Sequence, residues 1–212
     1  MSPKRTAAAA PPSRAWGIVW AGLAVVGIAA IVSILLSNDG GDATTEQTAP
    51  VSVGGDALPT WSDAVEDTAV GTTPPRVVGT TFAGTPVTID PTDGPMAIMF
   101  VAHWCPHCQN EVAGLREWLT TNQLPDGFEL VTVSTWVDPA RPNYPPSTWL
   151  AAPDWPVTTL VDDADSSVAT AYGMSSTPFW VFIDGSGEVA ARTAGEIGPE
   201  RILDIASQLL AG

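Results

Sequence analysis

From about residue 76 onward, apolar and polar positions follow the periods of strands and helices, and they predict one mixed α/β domain over 76–212. Val77–Thr81 and Pro86–Ile89 flank a short Ala-Gly-Thr segment and are predicted to pair as a hairpin. Met96–Ala102 is a continuous apolar run, which is typical of a buried central strand. Because strands and helices interleave after it, we expect a central mixed sheet flanked by helices.

A helix is predicted directly after this strand, ending near residue 120. Its apolar residues recur at spacings of four, three and four and therefore share one face: Cys108, Val112, Leu115 and Leu119. The later predicted strands are Phe128–Val137, Val157–Val161, Phe179–Ile183 and Glu188–Thr193. The later predicted helices are Pro146–Ala151, Asp165–Tyr172 and Pro199–Leu210, with Gly173 as the cap of the second.

Near the N-terminus the pattern is different, because Trp16–Leu36 contains 21 residues without a charge. At 1.5 Å per residue such a helix spans a hydrocarbon core of about 30 Å. Lys4, Arg5 and Arg14 precede the run, so residues 1–15 are predicted to stay in the cytoplasm and the domain to lie outside the cell membrane. A cleaved signal peptide is the alternative, although its apolar region is usually only 7–15 residues long.

The segment 37–75 shows no sustained periodicity and is rich in Gly, Thr, Asp, Ala and Pro. Such a composition buries little apolar area and is typical of a flexible linker. The predicted organisation is therefore a cytoplasmic tail, a single-pass anchor, a linker and one α/β domain.

The charge of the chain excludes one class of partner. Eight basic and 23 acidic residues give a net charge of −15, and only five arginines follow the apolar run. A phosphate backbone would repel a domain this acidic, so we expect no nucleic-acid binding.

The candidate chemistry lies in one motif, Cys105-Pro106-His107-Cys108, which contains both cysteines of the protein. It follows the predicted buried strand and begins a helix, so Cys105 would lie where unpaired backbone N–H groups and the helix dipole stabilise a thiolate. Pro106 suits the first helical turn, and His107 could add a donor or a positive charge beside the sulfur. Cys105 is therefore expected to be the exposed nucleophile, and Cys108 the shielded, resolving thiol of a redox-active disulfide.

Two other interpretations of the motif were considered. The cysteines could be inert core residues, or they could bind a metal together with His103 and His107. Structural zinc sites usually take ligands from two separated segments, whereas both histidines of this chain lie within one hexapeptide. We therefore predict no metal site and no cofactor.

The domain resembles the thioredoxin-like superfamily, in particular its membrane-anchored TlpA/ResA branch of thiol–disulfide oxidoreductases. The resemblance rests on Trp104–Cys108 after a buried strand, on Ser176-Thr177-Pro178 at the start of another, and on the turn Phe182–Gly187. It implies that Pro178 is cis and lies against the cysteines, and that the backbone of Thr177 pairs with an extended substrate. Trp104 and Pro106 are then expected to line the same substrate site.

Two positions depart from the pattern of reductases in this superfamily. The Pro-His dipeptide resembles DsbA-type oxidases, and Met99 stands where thioredoxins have a buried acid that takes the proton of the second cysteine. His103 or water would then have to accept that proton. Glu111 is expected on a solvated helix face, with an i,i+4 pair to His107 as the alternative.

The resemblance and the dipeptide disagree on the direction of electron flow. Pro-His favours a disulfide oxidase or general disulfide exchange, whereas the anchored architecture favours a reductase of the cytochrome c maturation type. A non-catalytic copper-binding module is a third interpretation. For the first two, we expect protein thiols or disulfides as substrates and a membrane redox partner that recycles the motif.

Overall fold

A five-stranded mixed sheet lies at the centre of the computed structural model, which describes residues 46–151 and 155–211. Its strands run in the order β6-β5-β4-β7-β8, with β4, β5 and β6 parallel and β7 and β8 antiparallel to their neighbours. The strands are β4 (Met96–Val101), β5 (Glu129–Ser134), β6 (Thr159–Val161), β7 (Phe179–Ile183) and β8 (Val189–Ala194).

A second, three-stranded antiparallel sheet is built from the beginning of the described chain. Its strands are β1 (Ser52–Gly54), β2 (Arg76–Thr80) and β3 (Pro86–Ile89). The hairpin of β2 and β3 is the one that the sequence predicted, and it has Val77 opposite Ile89.

The helices also match the predicted positions. They are α1 (Pro106–Leu119), α2 (Pro146–Ala151), α3 (Ser167–Ala171) and α4 (Gly198–Ala211). One 3-10 turn, Pro91–Asp93, precedes β4. β5 is shorter than predicted, because the backbone of Trp136 has a left-handed φ of 49° and cannot continue a strand.

Strand β4 divides the apolar core into two parts, since all six of its residues are buried. Met96, Ile98 and Phe100 face one cluster, whereas Ala97, Met99 and Val101 face the other. The second cluster includes both cysteines and the apolar faces of α1 and α4. The motif therefore begins where a fully buried strand leaves the sheet.

The linker predicted over 37–75 is corrected for residues 46–75, which belong to the folded domain. β1 pairs with β2, and Leu58 and Ala69 are buried in the core. Leu58 N–H donates to the Ala171 carbonyl, and Trp61 N–H donates to the carbonyl of Gly173. Only isolated side chains of this segment are buried, so it has no periodic pattern from which to predict the packing.

Gly173 ends α3 with a φ of 69°, as expected of the predicted helix cap. A Cβ at this position would collide with the Pro59 carbonyl oxygen. The glycine is therefore needed both for the backbone conformation and for the close approach of the N-terminal segment.

A buried ion pair fastens the same segment to the sheet. Arg192 of β8 has a side chain that is 1% exposed and donates from Nε and Nη2 to the Asp67 carboxylate, at 2.9 and 2.5 Å. Its Nη1 donates to the carbonyls of Pro59 and Tyr172. Hydrogen bonding to Arg192 outweighs partial burial and lowers the pKa of Asp67.

Asp67→Asn should lower the free energy of unfolding by about 3 kcal/mol, because it leaves the buried guanidinium without its counter-charge. Since the Asp67 pKa is lowered on folding, its contribution is present above pH 3.8 and is lost as the pH falls through the lower folded value. Urea unfolding at neutral pH measures the change, with Asp63→Asn at an exposed position as the control. Equal stabilities of the two variants would contradict this role.

Within the residues that the structure describes, no helix is both long and apolar enough to cross a membrane. The predicted span 16–36 and the cytoplasmic tail 1–15 lie outside the described residues.

Candidate active site

Cys105 is the N-cap residue of α1, and Pro106 occupies the first turn of the helix, as predicted. The backbone of Cys105 is extended, with φ −78° and ψ 120°, and its N–H donates to the Ala102 carbonyl at 3.0 Å. Against the effect of burial, the backbone N–H groups of His107 and Cys108 help to lower the pKa of Cys105, although its side chain makes no full capping hydrogen bond. The helix N-terminus thus presents its free donors to this thiol.

The sulfur of Cys105 also faces the loop that precedes β7. Its S–H donates to the Thr177 carbonyl at 3.3 Å, and the Thr177–Pro178 peptide bond is cis. The cis bond predicted from the resemblance is confirmed, and Thr177 lies against the motif. The expectation that Cys105 is exposed was wrong, because only 6% of the residue is accessible to solvent.

The two thiols differ strongly in environment. Burial raises the pKa of Cys105, but hydrogen bonds from the side chain of Thr177 and from the backbone and thiol of Cys108 outweigh it, so the pKa is lowered. Cys108 is fully buried, and burial raises its pKa, although the Ala102 N–H donates to its sulfur at 3.5 Å. Of the two thiols, Cys105 is therefore the one that forms a thiolate more readily.

Both ring nitrogens of His103, the possible proton acceptor for Cys108, bond backbone groups. Its ring is buried, Nδ1 donates to the Pro142 carbonyl at 2.8 Å, and Nε2 accepts from the Asp138 N–H at 3.3 Å. Since a carbonyl only accepts and an N–H only donates, these contacts require the neutral ring with its proton on Nδ1. Met99, at the position of the thioredoxin acid, is fully buried and apolar.

Trp104 connects the motif to the loop after β5. Its Nε1 donates to the Trp136 carbonyl at 2.8 Å, and the Arg141 guanidinium lies 4.4 Å from the centre of its ring. With the two contacts of His103, these interactions hold the loop 136–143 beside the cysteines. No local pattern predicted that this loop belongs to the site, since Trp136 and Arg141 lie more than 30 residues after Trp104 in the chain.

His107 is 70% exposed, and its ring bonds a carboxylate. Nδ1 donates to Glu196 Oε1 at 2.5 Å, and Asn110 Nδ2 donates to the same oxygen at 3.2 Å. The hydrogen bond from His107 lowers the pKa of Glu196. Glu196 was missed from the sequence, because it lies 89 residues from its partner in a loop with no motif.

Neither expectation for Glu111 holds. The residue is 4% exposed, and its carboxylate accepts from the backbone N–H groups of Ile197 and Gly198 at 2.9 and 3.0 Å. Burial raises its pKa, against the effect of these hydrogen bonds. An acid on an exposed helix face would be solvated, but here the β8–α4 junction covers it and supplies two donors in place of water.

Across the described parts of the chain, no group of three or more His, Cys, Asp or Glu residues is arranged to hold a metal ion. In the motif itself, both ring nitrogens of His103 bond the backbone and His107 bonds Glu196. Both cysteines are free thiols, so the structure shows the dithiol form.

The profile of the AhpC/TSA family matches residues 70–204, which is more than half of the chain. No curated protein matches the sequence.

Solved structures show the same fold at low identity. They include dsbF of MTB in its mixed oxidized and reduced forms (22% identity, TM-score 0.50, 62% of this chain and 93% of that one). StoA from Bacillus subtilis is similar at 18% identity and a TM-score of 0.51, with 61% and 94% covered. A secreted Mycobacterium tuberculosis disulfide oxidoreductase homologous to E. coli DsbE is similar at 19% identity and a TM-score of 0.50, with 62% and 95% covered.

In the reduced protein, iodoacetamide should modify Cys105 first, because only the thiolate reacts. The rate should rise with pH through a midpoint below the 9.0 of an unperturbed thiol. In Cys105→Ser, alkylation of Cys108 at neutral pH should be slower than that of Cys105 in Cys108→Ser by at least about a hundredfold. Equal rates in the two single-cysteine variants, read by mass spectrometry, would contradict the assignment.

Proposed function

This chain belongs to the AhpC/TSA family and is a thiol–disulfide oxidoreductase, and from this premise we propose that it exchanges disulfides with protein substrates outside the cytoplasm. In the proposal Cys105 is the nucleophile, Cys108 is the resolving thiol, and the pair forms the redox-active disulfide. The observation that carries it is the unequal placement of the two thiols: Cys105 caps the N-terminus of α1 beside the Thr177 carbonyl, whereas Cys108 is fully buried.

In the oxidising direction, a substrate thiolate attacks Sγ of Cys105 in the disulfide form. The Cys105–Cys108 bond breaks, a mixed disulfide forms with the substrate, and Cys108 leaves with the electron pair and takes up a proton. A second thiolate of the same substrate then attacks the substrate sulfur of the mixed disulfide. The substrate disulfide forms, and Cys105 leaves as a thiolate. Two electrons pass to the protein, and the reducing direction is the reverse of these steps.

The residues around Cys105 support contact with a peptide substrate. The Thr177 carbonyl lies 3.3 Å from the Cys105 sulfur, Pro178 follows it through a cis peptide bond, and Pro106 and His107 are exposed. In the proposal Thr177 pairs with the substrate backbone, while Trp104 and Pro106 line the site. Trp104 keeps its orientation through the Trp136 carbonyl.

The direction of electron flow is the finer part of the proposal. We favour an oxidase or a general exchange protein, because Pro-His resembles the dipeptide of DsbA-type oxidases. The equilibrium of the full chain with glutathione discriminates the alternatives. A potential near about −120 mV supports oxidation of exported proteins, whereas one near or below about −270 mV supports a dedicated reductase.

Trapping of an intermediate tests the assignment of the two thiols. In Cys108→Ser, the Cys105 thiolate should attack the mixed disulfide that an unfolded, single-cysteine model substrate carries with an aromatic thiol, and the aromatic thiolate leaves. Because no Cys108 is present to resolve it, the covalent disulfide between Cys105 and the substrate should accumulate. Non-reducing electrophoresis and peptide mapping read the adduct. Cys105→Ser is the matched control and should form at least about tenfold less of it, because Cys108 is buried. Adducts of equal yield would refute the proposed roles.

The proposal also includes a single-pass membrane anchor at Trp16–Leu36, a cytoplasmic N-terminus and a membrane redox partner that recycles the motif. The uncharged run, with basic residues before it and acidic ones after it, supports this topology.

Membrane association should resist alkaline carbonate extraction, and external protease should degrade residues 37–212 in intact spheroplasts. A variant that lacks residues 1–36 should stay in the soluble fraction, because it has lost the only uncharged run of this length. Carbonate-extractable protein, or a mature chain that begins after residue 36, would contradict the anchor and support the signal-peptide alternative.

A further inference from the structure

The ring of His107 is held by a carboxylate from the far end of the chain. Its Nδ1 donates to Glu196 at 2.5 Å, and the same oxygen accepts from Asn110, one turn along α1. Because Nδ1–H is committed to Glu196, the neutral ring has no other N–H to offer to the Cys105 sulfur. When the ring is protonated, its positive charge is paired with the same carboxylate.

The segment that carries Glu196 is itself fixed in place. It lies between β8 and α4, and the buried carboxylate of Glu111 accepts from the N–H groups of Ile197 and Gly198. Gly195 and Gly198 have positive φ values of 93° and 71°, which turn the chain back toward α1. Glu196 therefore faces the first turns of α1 because of the fold and not by chance rotation of a free loop.

The pairing has a predictable effect on the redox equilibrium. A cationic or donating imidazole beside Cys105 stabilises the thiolate, favours the reduced protein and makes the disulfide a stronger oxidant. A carboxylate bound to that imidazole cancels its charge and holds its donor away from the sulfur. The pair is largely exposed, so solvent screens it and the effect is modest.

We propose that Glu196 is a positioning residue that moderates the oxidising strength of the Cys105–Cys108 disulfide by holding His107 away from the thiolate. The proposal rests on the proposed thiol–disulfide exchange and adds a determinant of its direction. The Cys105–Cys108 disulfide is then a weaker oxidant than the Pro-His dipeptide by itself indicates.

A cycle of four proteins tests it: the full chain in detergent, Glu196→Gln, His107→Ala and the double variant. Each is equilibrated with glutathione, in which the dithiol and one oxidised glutathione give the protein disulfide and two reduced glutathiones. Glu196→Gln should shift the equilibrium constant about fivefold toward the reduced protein and should lower the Cys105 pKa in a thiolate-absorbance titration. His107→Ala should change the constant by less than about twofold, and adding Glu196→Gln to it should change nothing further.

The control is Glu200→Gln, which removes an equal charge from an exposed position in the first turn of α4. It should leave the equilibrium constant unchanged. An unchanged equilibrium constant in Glu196→Gln would overturn the proposal. An equal shift with and without His107 would also overturn it, because Glu196 would then act on Cys105 directly through its charge. Failure of the unsubstituted chain to form the disulfide reversibly would instead refute the proposed exchange function itself.

Discussion

The structure depends on the junction at which the buried strand β4 leaves the sheet and becomes the first turn of α1. Ala102 forms this junction through both of its backbone groups, since its carbonyl accepts from the Cys105 N–H and its N–H donates to the Cys108 sulfur. One residue therefore fixes Cys105 at the helix terminus and Cys108 inside the core. The chemical inequality of two identical side chains follows from this placement, because the helix terminus stabilises a thiolate and the apolar core opposes one.

Segments distant in sequence complete the environment of Cys105. Thr177 and the cis proline come from the loop before β7, Trp136 and Arg141 from the loop after β5, and Glu196 from the loop before α4. Three loops thus meet the N-terminal end of one helix. Each loop brings to the motif a group that the motif's own sequence does not contain.

The N-terminal part of the domain shows that a segment without periodicity can be part of a packed fold. Residues 46–75 contribute one short strand, a few buried side chains and the carboxylate that pairs with Arg192. A guanidinium on the edge strand β8 can be buried only because this segment supplies both a counter-charge and a carbonyl oxygen. The segment is therefore part of the fold, although its composition is that of a linker.

The sequence by itself determined the order of strands and helices from residue 76 onward, the position of the redox motif at a helix start and the deeper burial of Cys108. These follow from local periods and from the chemistry of a helix terminus, which neighbouring residues carry. Tertiary structure alone decided the partners of three side chains: the two backbone contacts of His103, the carboxylate on His107 and the burial of Glu111. Each of these contacts depends on a loop 35 or more residues away in the chain. The residues next to a polar side chain in sequence do not indicate which distant group will replace water as its hydrogen-bond partner.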